Sequence, residues 1–127
     1  MLTILRNTAI VFLGIILGMI INMGLVSLGG YILETPVNFS PMNATNWDLK
    51  YFVFPFLAHA SGTFSGSYLV AKISKNSSFI YPLIVGIYFL AGGIYMTTII
   101  TTPFWFVILD IGFAYLPMSI LAWRLSE

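Results

Sequence analysis

Four long apolar stretches, separated by short polar segments, make up most of this 127-residue chain. Each stretch reaches the length of about 20 residues that a helix needs to cross the hydrocarbon core of a bilayer. We therefore predict an all-α fold, an integral membrane four-helix bundle, with residues 1–127 forming a single transmembrane domain. The predicted spans cover about residues 8–33, 51–73, 79–100 and 104–123, and an outer loop covers residues 34–50.

The composition supports a membrane protein and excludes several function classes. Hydrophobic residues make up 59% of the chain and charged residues only 7%, whereas soluble domains average about 25% charged residues. The net charge of +1 gives no electrostatic basis for a nucleic-acid partner. The absence of cysteine excludes disulfides, thiol catalysis and iron–sulfur ligation.

The first apolar stretch is a transmembrane helix in our interpretation, rather than a cleaved signal peptide. Its uninterrupted run from Thr8 to Leu28 exceeds the 7–15 apolar residues of an ordinary signal peptide.

Prolines predict where helices begin or bend. Pro55 lies inside the second stretch, so we expect a kink or a late helix start there. Pro82 falls in the first turn of the third helix, where backbone donors lack partners in any case. Pro103 is expected at the first position of the fourth helix, with Thr102 as N-cap. Pro117 predicts a kink near the end of that helix.

The basic residues predict the orientation of the chain in the membrane. Arg6, Lys72, Lys75 and Arg124 all fall on one side, and Lys50 falls on the other. Positive charge is enriched on the cytoplasmic side, so we predict cytoplasmic N and C termini. The expected location is a bacterial inner (cytoplasmic) membrane, which the chain crosses several times, with the lipid bilayer as its immediate partner.

Two strongly ionisable side chains, His59 and Asp110, lie inside the apolar stretches. An ionised Asp in hydrocarbon costs about 2.5 kcal/mol or more, so such residues usually face the interior of a bundle. At 1.5 Å per residue, His59 lies about 12 Å and Asp110 about 10 Å below the outer ends of their helices. Asn22 reaches a similar depth. The predicted polar layer consists of His59, Asp110, Asn22, Thr63 and Thr97.

Small residues share helix faces with these polar residues. Such faces let helices approach closely in lipid, so the polar layer is expected to point inward. The candidate packing glycines are Gly14 and Gly18 in the first stretch, Gly62 and Gly66 in the second, and Gly86 and Gly93 in the third.

The polar layer has two interpretations. Intramembrane Asn and Thr residues more often hold helices together than form a site. A His and an Asp at matched depth are more specific, and they could form a relay for protons or a small ion. No metal or other cofactor is expected, because a single His with four acidic residues cannot build an ordinary zinc site and haem would need a further ligand.

Two segments carry a resemblance to a known group of proteins. They are Phe54-Pro55-Phe56-Leu57-Ala58-His59-Ala60-Ser61-Gly62-Thr63, and Phe104-Trp105-Phe106-Val107-Ile108-Leu109-Asp110 together with Ala114-Tyr115-Leu116-Pro117-Met118. With the Gly and Asn face of the first stretch, the chain resembles small four-helix membrane proteins of Bacteroidota-type bacteria. The resemblance implies the membrane fold and no particular activity.

Three function classes follow as expectations. The first is a non-enzymatic membrane protein, an accessory or self-associating subunit that forms a homo-oligomer or joins a larger membrane complex. The second is a small transporter or channel that uses the His59 and Asp110 relay. The third is a membrane enzyme or cofactor carrier that acts on a lipid or quinone.

Overall fold

The computed structural model describes residues 1–74 and 78–127, and within these ranges the fold is entirely helical, as predicted. The described part of the chain contains no strand, only an isolated parallel bridge between Asn43 and Thr101. The helices are α1 (Leu2–Ile32), α2 (Lys50–Ile73), α3 (Ile80–Ile99), α4 (Phe104–Phe113) and α5 (Leu116–Ser126).

The first three helices follow the predicted stretches closely. The first begins six residues before the predicted start and ends at Ile32, whereas α2 and α3 agree with prediction to within one residue at each end. The predicted turn residues Lys75, Asn76 and Ser77 lie outside the described residues. The orientation argument therefore rests, in the structure, on Arg6, Lys72 and Arg124.

The fourth stretch is broken into two helices, whereas the sequence predicted one helix with a kink at Pro117. The first part, α4, ends at Phe113, and α5 begins at Leu116. Pro117 has no N–H to donate to the carbonyl of Phe113 four residues earlier, and its ring clashes with that carbonyl. Tyr115, between the helices, leaves helical geometry with φ −115° and ψ −83°.

Two further proline predictions need correction. Pro103 is the N-cap of α4 and not its first helical residue, and its carbonyl accepts hydrogen bonds from the N–H groups of Phe106 and Val107. Of the two outcomes expected at Pro55, the late start is wrong, because α2 begins at Lys50 and continues through the proline, and the kink stays a prediction. Pro82 lies in the first turn of α3, as predicted.

Three segments are long and apolar enough, by length and composition, to cross a membrane: α1, α3, and α4 with α5 taken together. Between 17% and 28% of the residues in their most apolar windows are buried inside the bundle. Most of their apolar side chains therefore face outward, which favours a lipid environment. The fourth predicted span, α2, is long enough but does not belong to this set.

Helix α2 occupies the centre of the bundle. It packs against α1 over the most extensive interface and also contacts α3, α4 and α5. Its less apolar composition is accommodated because its polar side chains face other helices: Thr63 and Ser67 are fully buried. The core of the bundle is thus built around a helix that carries hydroxyl groups and glycines.

Helices α1 and α2 meet backbone to backbone. A Cβ atom built on Gly18 would lie 2.6 Å from the carbonyl oxygen of Gly62, and one built on Gly62 would lie 2.7 Å from that of Gly18. Gly14 and Gly66 contact each other in the same way one turn along. Small residues allow this close approach, and the two contacts fix the antiparallel register of the pair.

The remaining packing glycines face the fourth stretch. A Cβ atom on Gly86 would lie 2.7 Å from Cβ of Ser119, and one on Gly93 would lie within 2.7 Å of the Tyr115 phenol. At the same junction the carbonyl of Pro82 accepts hydrogen bonds from Ser67 Oγ (3.1 Å) and Ser119 Oγ (2.7 Å). This carbonyl therefore joins α2, α3 and α5.

The segment between α1 and α2 covers one end of the bundle, which we call the outer end. The N–H of Ala44 donates to the carbonyl of Thr101 (2.7 Å), and the N–H of Thr101 donates to the carbonyl of Met42 (3.0 Å). Ala44 also packs with Phe52 and Phe106 in an apolar cluster. The loop is thereby attached to the turn between α3 and α4.

The backbone contact of α1 and α2 predicts different results for two identical substitutions on α1. Gly18→Ala places a methyl group against a backbone carbonyl and the Phe89 ring, so we expect it to lower the free energy of unfolding by about 1–3 kcal/mol. Gly24→Ala is the matched control, because nothing lies within 4 Å of its added Cβ. The control should gain up to about 1 kcal/mol from helix propensity.

Unfolding of both variants in mixed detergent and SDS micelles measures the difference. Equal free energies of unfolding for Gly18→Ala and Gly24→Ala would contradict the packing described here.

Candidate functional site

The two ionisable residues of the apolar stretches form a direct pair. Nδ1 of His59, in α2, lies 2.8 Å from Oδ1 and 2.9 Å from Oδ2 of Asp110, in α4. The Asp110 side chain is 8% exposed and that of His59 is 28% exposed. The imidazole therefore separates the carboxylate from the surroundings.

Tyr115 completes this group. Its hydroxyl donates to Oδ2 of Asp110 at 3.0 Å, and its ring stacks on the His59 ring with centroids 5.7 Å apart. Residues five apart on a continuous helix point to different faces, so a contact between Tyr115 and Asp110 could not be expected from their spacing. The break after Phe113 turns the phenol back toward the carboxylate. Pro117, which causes this break, is the only feature of the sequence that indicated the changed direction of Tyr115.

The pair is best accommodated in apolar surroundings when it carries no net charge. One arrangement is an ionised Asp110 with a doubly protonated His59, and the other is a protonated Asp110 that donates to Nδ1 of a neutral His59. Nε2 of His59 carries a hydrogen in both of these net-neutral arrangements, whereas it is an acceptor when a neutral His59 donates from Nδ1 to an ionised Asp110. This nitrogen forms no hydrogen bond with any residue that the structure describes.

A cleft of about 520 Å³ lies beside the pair, between the pair and the outer loop. Met19, Asn22 and Val26 of α1 line one side. The residues of α3 that line another side are Tyr88, Phe89, Gly92, Gly93, Tyr95, Met96 and Thr97. His59 and Asp110 line it from α2 and α4, and Ala44 and Trp47 close the outer end. The cleft is mostly apolar, with a few polar groups at defined points.

The cleft is partly open, and exposed residues of α1 and α3 line its edge between these two helices. These helices contact each other through Gly18 and Phe89 and through Met19 and Tyr88, at the inner end of the cleft. Farther out, Val26 and Met96 line the cleft and are also exposed on the outside of the bundle. A molecule can therefore enter from the side, where the surrounding surface is apolar.

Polar atoms without partners lie around the cleft. Oδ1 of Asn22 and Nε1 of Trp47 are buried and form no hydrogen bond with the described part of the chain. Unpartnered buried polar groups are costly and call for an explanation. Their position on residues that line a cleft indicates binding partners that come from outside the chain.

The structure separates the other predicted members of the polar layer. Thr97 lines the cleft, but its hydroxyl donates to the carbonyl of Ile94 (2.6 Å). Thr63 is fully buried one turn beyond His59, does not line the cleft, and has no hydrogen-bond partner among the described residues. Only His59 and Asp110 of the five predicted residues contact each other by hydrogen bonding.

The described residues add no support for a metal site. Within residues 1–74 and 78–127, no three His, Asp or Glu side chains lie together as a metal site requires.

Comparison of the chain with models of protein families, with curated proteins and with solved structures finds no match. The site must therefore be interpreted from its own geometry.

The contact between His59 and Asp110 predicts an energetic coupling. In a double-mutant cycle of His59→Ala and Asp110→Ala, we expect a coupling free energy of at least about 1 kcal/mol, because each single variant leaves a polar group unpaired in apolar surroundings. Unfolding in detergent micelles gives the four free energies.

The control cycle combines His59→Ala with Thr97→Ala, because Thr97 lines the same cleft while its hydroxyl bonds to its own helix. That pair should be additive to within about 0.5 kcal/mol. Additivity in the first cycle as well would show that the pair has no energetic role.

Proposed function

We propose that this chain is a multi-pass integral membrane protein with both termini in the cytoplasm. We further propose that it acts as a non-enzymatic accessory component that holds a lipophilic molecule in its cleft. The observation that carries the proposal is the cleft itself, which is partly open along its edge between α1 and α3 and has the His59–Asp110 pair in its wall.

The dimensions of the cleft favour binding. Small-molecule sites usually enclose about 300–1,000 Å³, are mostly apolar, and contain a few polar groups that orient the ligand. A volume of about 520 Å³ and a largely aliphatic and aromatic lining fit this description. In a bilayer, the lateral opening would face lipid tails, so the natural occupant is a molecule dissolved in the membrane.

The membrane orientation rests on charge and surface composition. Arg6, Lys72 and Arg124 lie at one end of the bundle, and Lys50 lies at the other. The exposed surfaces of α1, α3 and α4 are apolar. Under the positive-inside rule, the outer end faces away from the cytoplasm, and a bacterial cytoplasmic membrane is the proposed location.

Self-association is not part of the proposal. The sequence argument for it used the small-residue faces, and all six glycines of these faces contact another helix of the same chain. Those faces are therefore buried within one copy of the chain and are not free to contact a second copy. A larger membrane complex would have to be contacted through other surfaces.

A proton or ion relay is the second candidate function. The continuous hydrogen-bonded series of His59, Asp110 and Tyr115 favours it, because intramembrane ionisable groups often serve proton transfer. The two candidate functions predict different proton fluxes in proteoliposomes. A relay shows a flux that Asp110→Asn abolishes, whereas a binding protein shows no flux before or after the substitution.

The proposed topology predicts the labelling of single cysteines, which the cysteine-free chain makes simple to test. Ser40→Cys, in the exposed outer loop, should react with a membrane-impermeant maleimide in right-side-out membrane vesicles. Glu127→Cys, at the exposed C terminus, should react only after the vesicles are permeabilised. The reverse pattern would invert the topology, and equal labelling of both would contradict a fixed orientation.

Filling the cleft should remove the bound molecule. Gly92 lines the cleft on the same helix face as Tyr88 and Met96, and a Cβ atom built there has nothing within 4 Å. We expect Gly92→Phe to occupy the cleft without disturbing the bundle. Gly112→Phe is the matched control, because Gly112 has the same open surroundings and does not line the cleft.

Native mass spectrometry of chains extracted gently from the membrane detects bound molecules by mass. The unaltered chain and Gly112→Phe should retain a neutral lipophilic adduct that Gly92→Phe lacks. An adduct that all three retain, or that none carries, would overturn binding in the cleft.

A further inference from the structure

The hydrogen-bonding groups of the cleft specify the chemical class of its ligand. We propose that the cleft binds a neutral quinone-type ring whose carbonyl oxygens accept hydrogen bonds from Trp47, His59 and Asn22, an inference that rests on the proposed binding function. An apolar tail on the ring would leave through the opening between α1 and α3. The proposal concerns binding, and no electron transfer is assigned to the chain.

The free polar groups of the cleft are mainly donors. An indole nitrogen can only donate, and Nε1 of Trp47 is buried without an acceptor in the described part of the chain. Nε2 of His59 carries a hydrogen in both neutral arrangements of the pair. The Asn22 amide, which forms no hydrogen bond with any described residue, adds an NH₂ group.

Apart from Oδ1 of Asn22, which is buried without a partner, the carboxylate and the threonine hydroxyl groups nearby are already engaged. Asp110 interacts with His59 and accepts from Tyr115, and the hydroxyls of Thr97 and Thr102 donate to carbonyls of their own segments. A ligand without an oxygen acceptor would leave the indole N–H unpartnered. A ligand with carbonyl oxygens satisfies the donors, as buried polar groups require.

The ligand is expected to be uncharged. Neither Lys nor Arg occurs among the described residues that line the cleft. An anionic headgroup such as a phosphate would therefore find no cation other than His59, which is paired with Asp110, and burying it would be costly. This argument excludes phospholipid headgroups and fatty-acid carboxylates.

The shape of the cleft favours a flat ring. Aromatic side chains line it, including Trp47, Phe52, Phe89 and Phe106, and such side chains stack favourably on planar groups. Trp47 precedes α2, whereas His59 lies nine residues into that helix, about 13 Å deeper at 1.5 Å per residue. The indole and the imidazole donors therefore lie at opposite ends of the cleft.

Three uncharged probes separate the features of the ligand. A benzoquinone with a decyl chain has the ring and its carbonyls, decylbenzene has the ring without an acceptor, and dioctanoylglycerol has ester carbonyls without a ring. Calorimetric titration of the full chain in detergent measures the affinity for each probe. The quinone is expected to bind most tightly.

Two variants with matched controls then test the donors. Asn22→Leu and Trp47→Phe each remove a group without an intramolecular hydrogen bond, so folding should survive. Each should weaken quinone binding about three- to tenfold, the value of one hydrogen bond, and leave decylbenzene binding unchanged. The controls are Asn7→Leu, at the other end of α1, and Trp105→Phe, because neither residue lines the cleft.

The outcomes distinguish this inference from the proposed function. Decylbenzene binding as tightly as the quinone, with no effect of the donor variants, would overturn the carbonyl assignment and leave lipophilic binding intact. Preference for dioctanoylglycerol would overturn the ring and assign the carbonyls to a glycerolipid. Failure of every probe to bind, with no adduct lost in Gly92→Phe, would overturn the proposed function as well.

Discussion

The backbone contact between α1 and α2 is the constraint on which the rest of the structure depends. Because Gly18 lies on Gly62 and Gly14 on Gly66, the two helices can pass only in one register. That register places Asn22 one turn farther out, beside Gly62 and at the level of His59. Other helices then pack on the remaining sides of α2. The cleft is the space left where α1 and α3 no longer meet.

The break in the fourth stretch performs a second organising role. A continuous helix would have directed Tyr115 away from Asp110, and its backbone would have lacked the turn that brings the phenol to the carboxylate. With the break, one carboxylate is held by groups from α2 and from the start of α5. The Tyr115 ring also fills the space that Gly93 leaves. The break at the proline thus supports the only Asp, Glu, Lys or Arg side chain that is buried in the described part of the chain.

The sequence predicted the helical fold because apolar length, glycine spacing and proline positions are local properties. It also predicted that His59 and Asp110 lie at one depth, which follows from counting residues along each helix. It could not predict that they touch, since depth does not determine the angle around a helix. Tyr115 and Trp47 were missed for related reasons: one depends on a break in a helix, and the other on how a loop folds over the bundle. Thr63 was included by face and depth, yet it is cut off from the cleft.

The pairing of His59 with Asp110 has a consequence for biosynthesis. If the chain enters the bilayer from its N terminus, the imidazole of α2 is in place before the carboxylate of α4 emerges. A lone Asp at the centre of a segment opposes insertion by about 2.5–3.5 kcal/mol. The imidazole of His59 can pair with the Asp110 carboxylate as α4 inserts. In the proposed membrane topology, the order of the helices along the chain therefore lets an early segment assist the insertion of a late one.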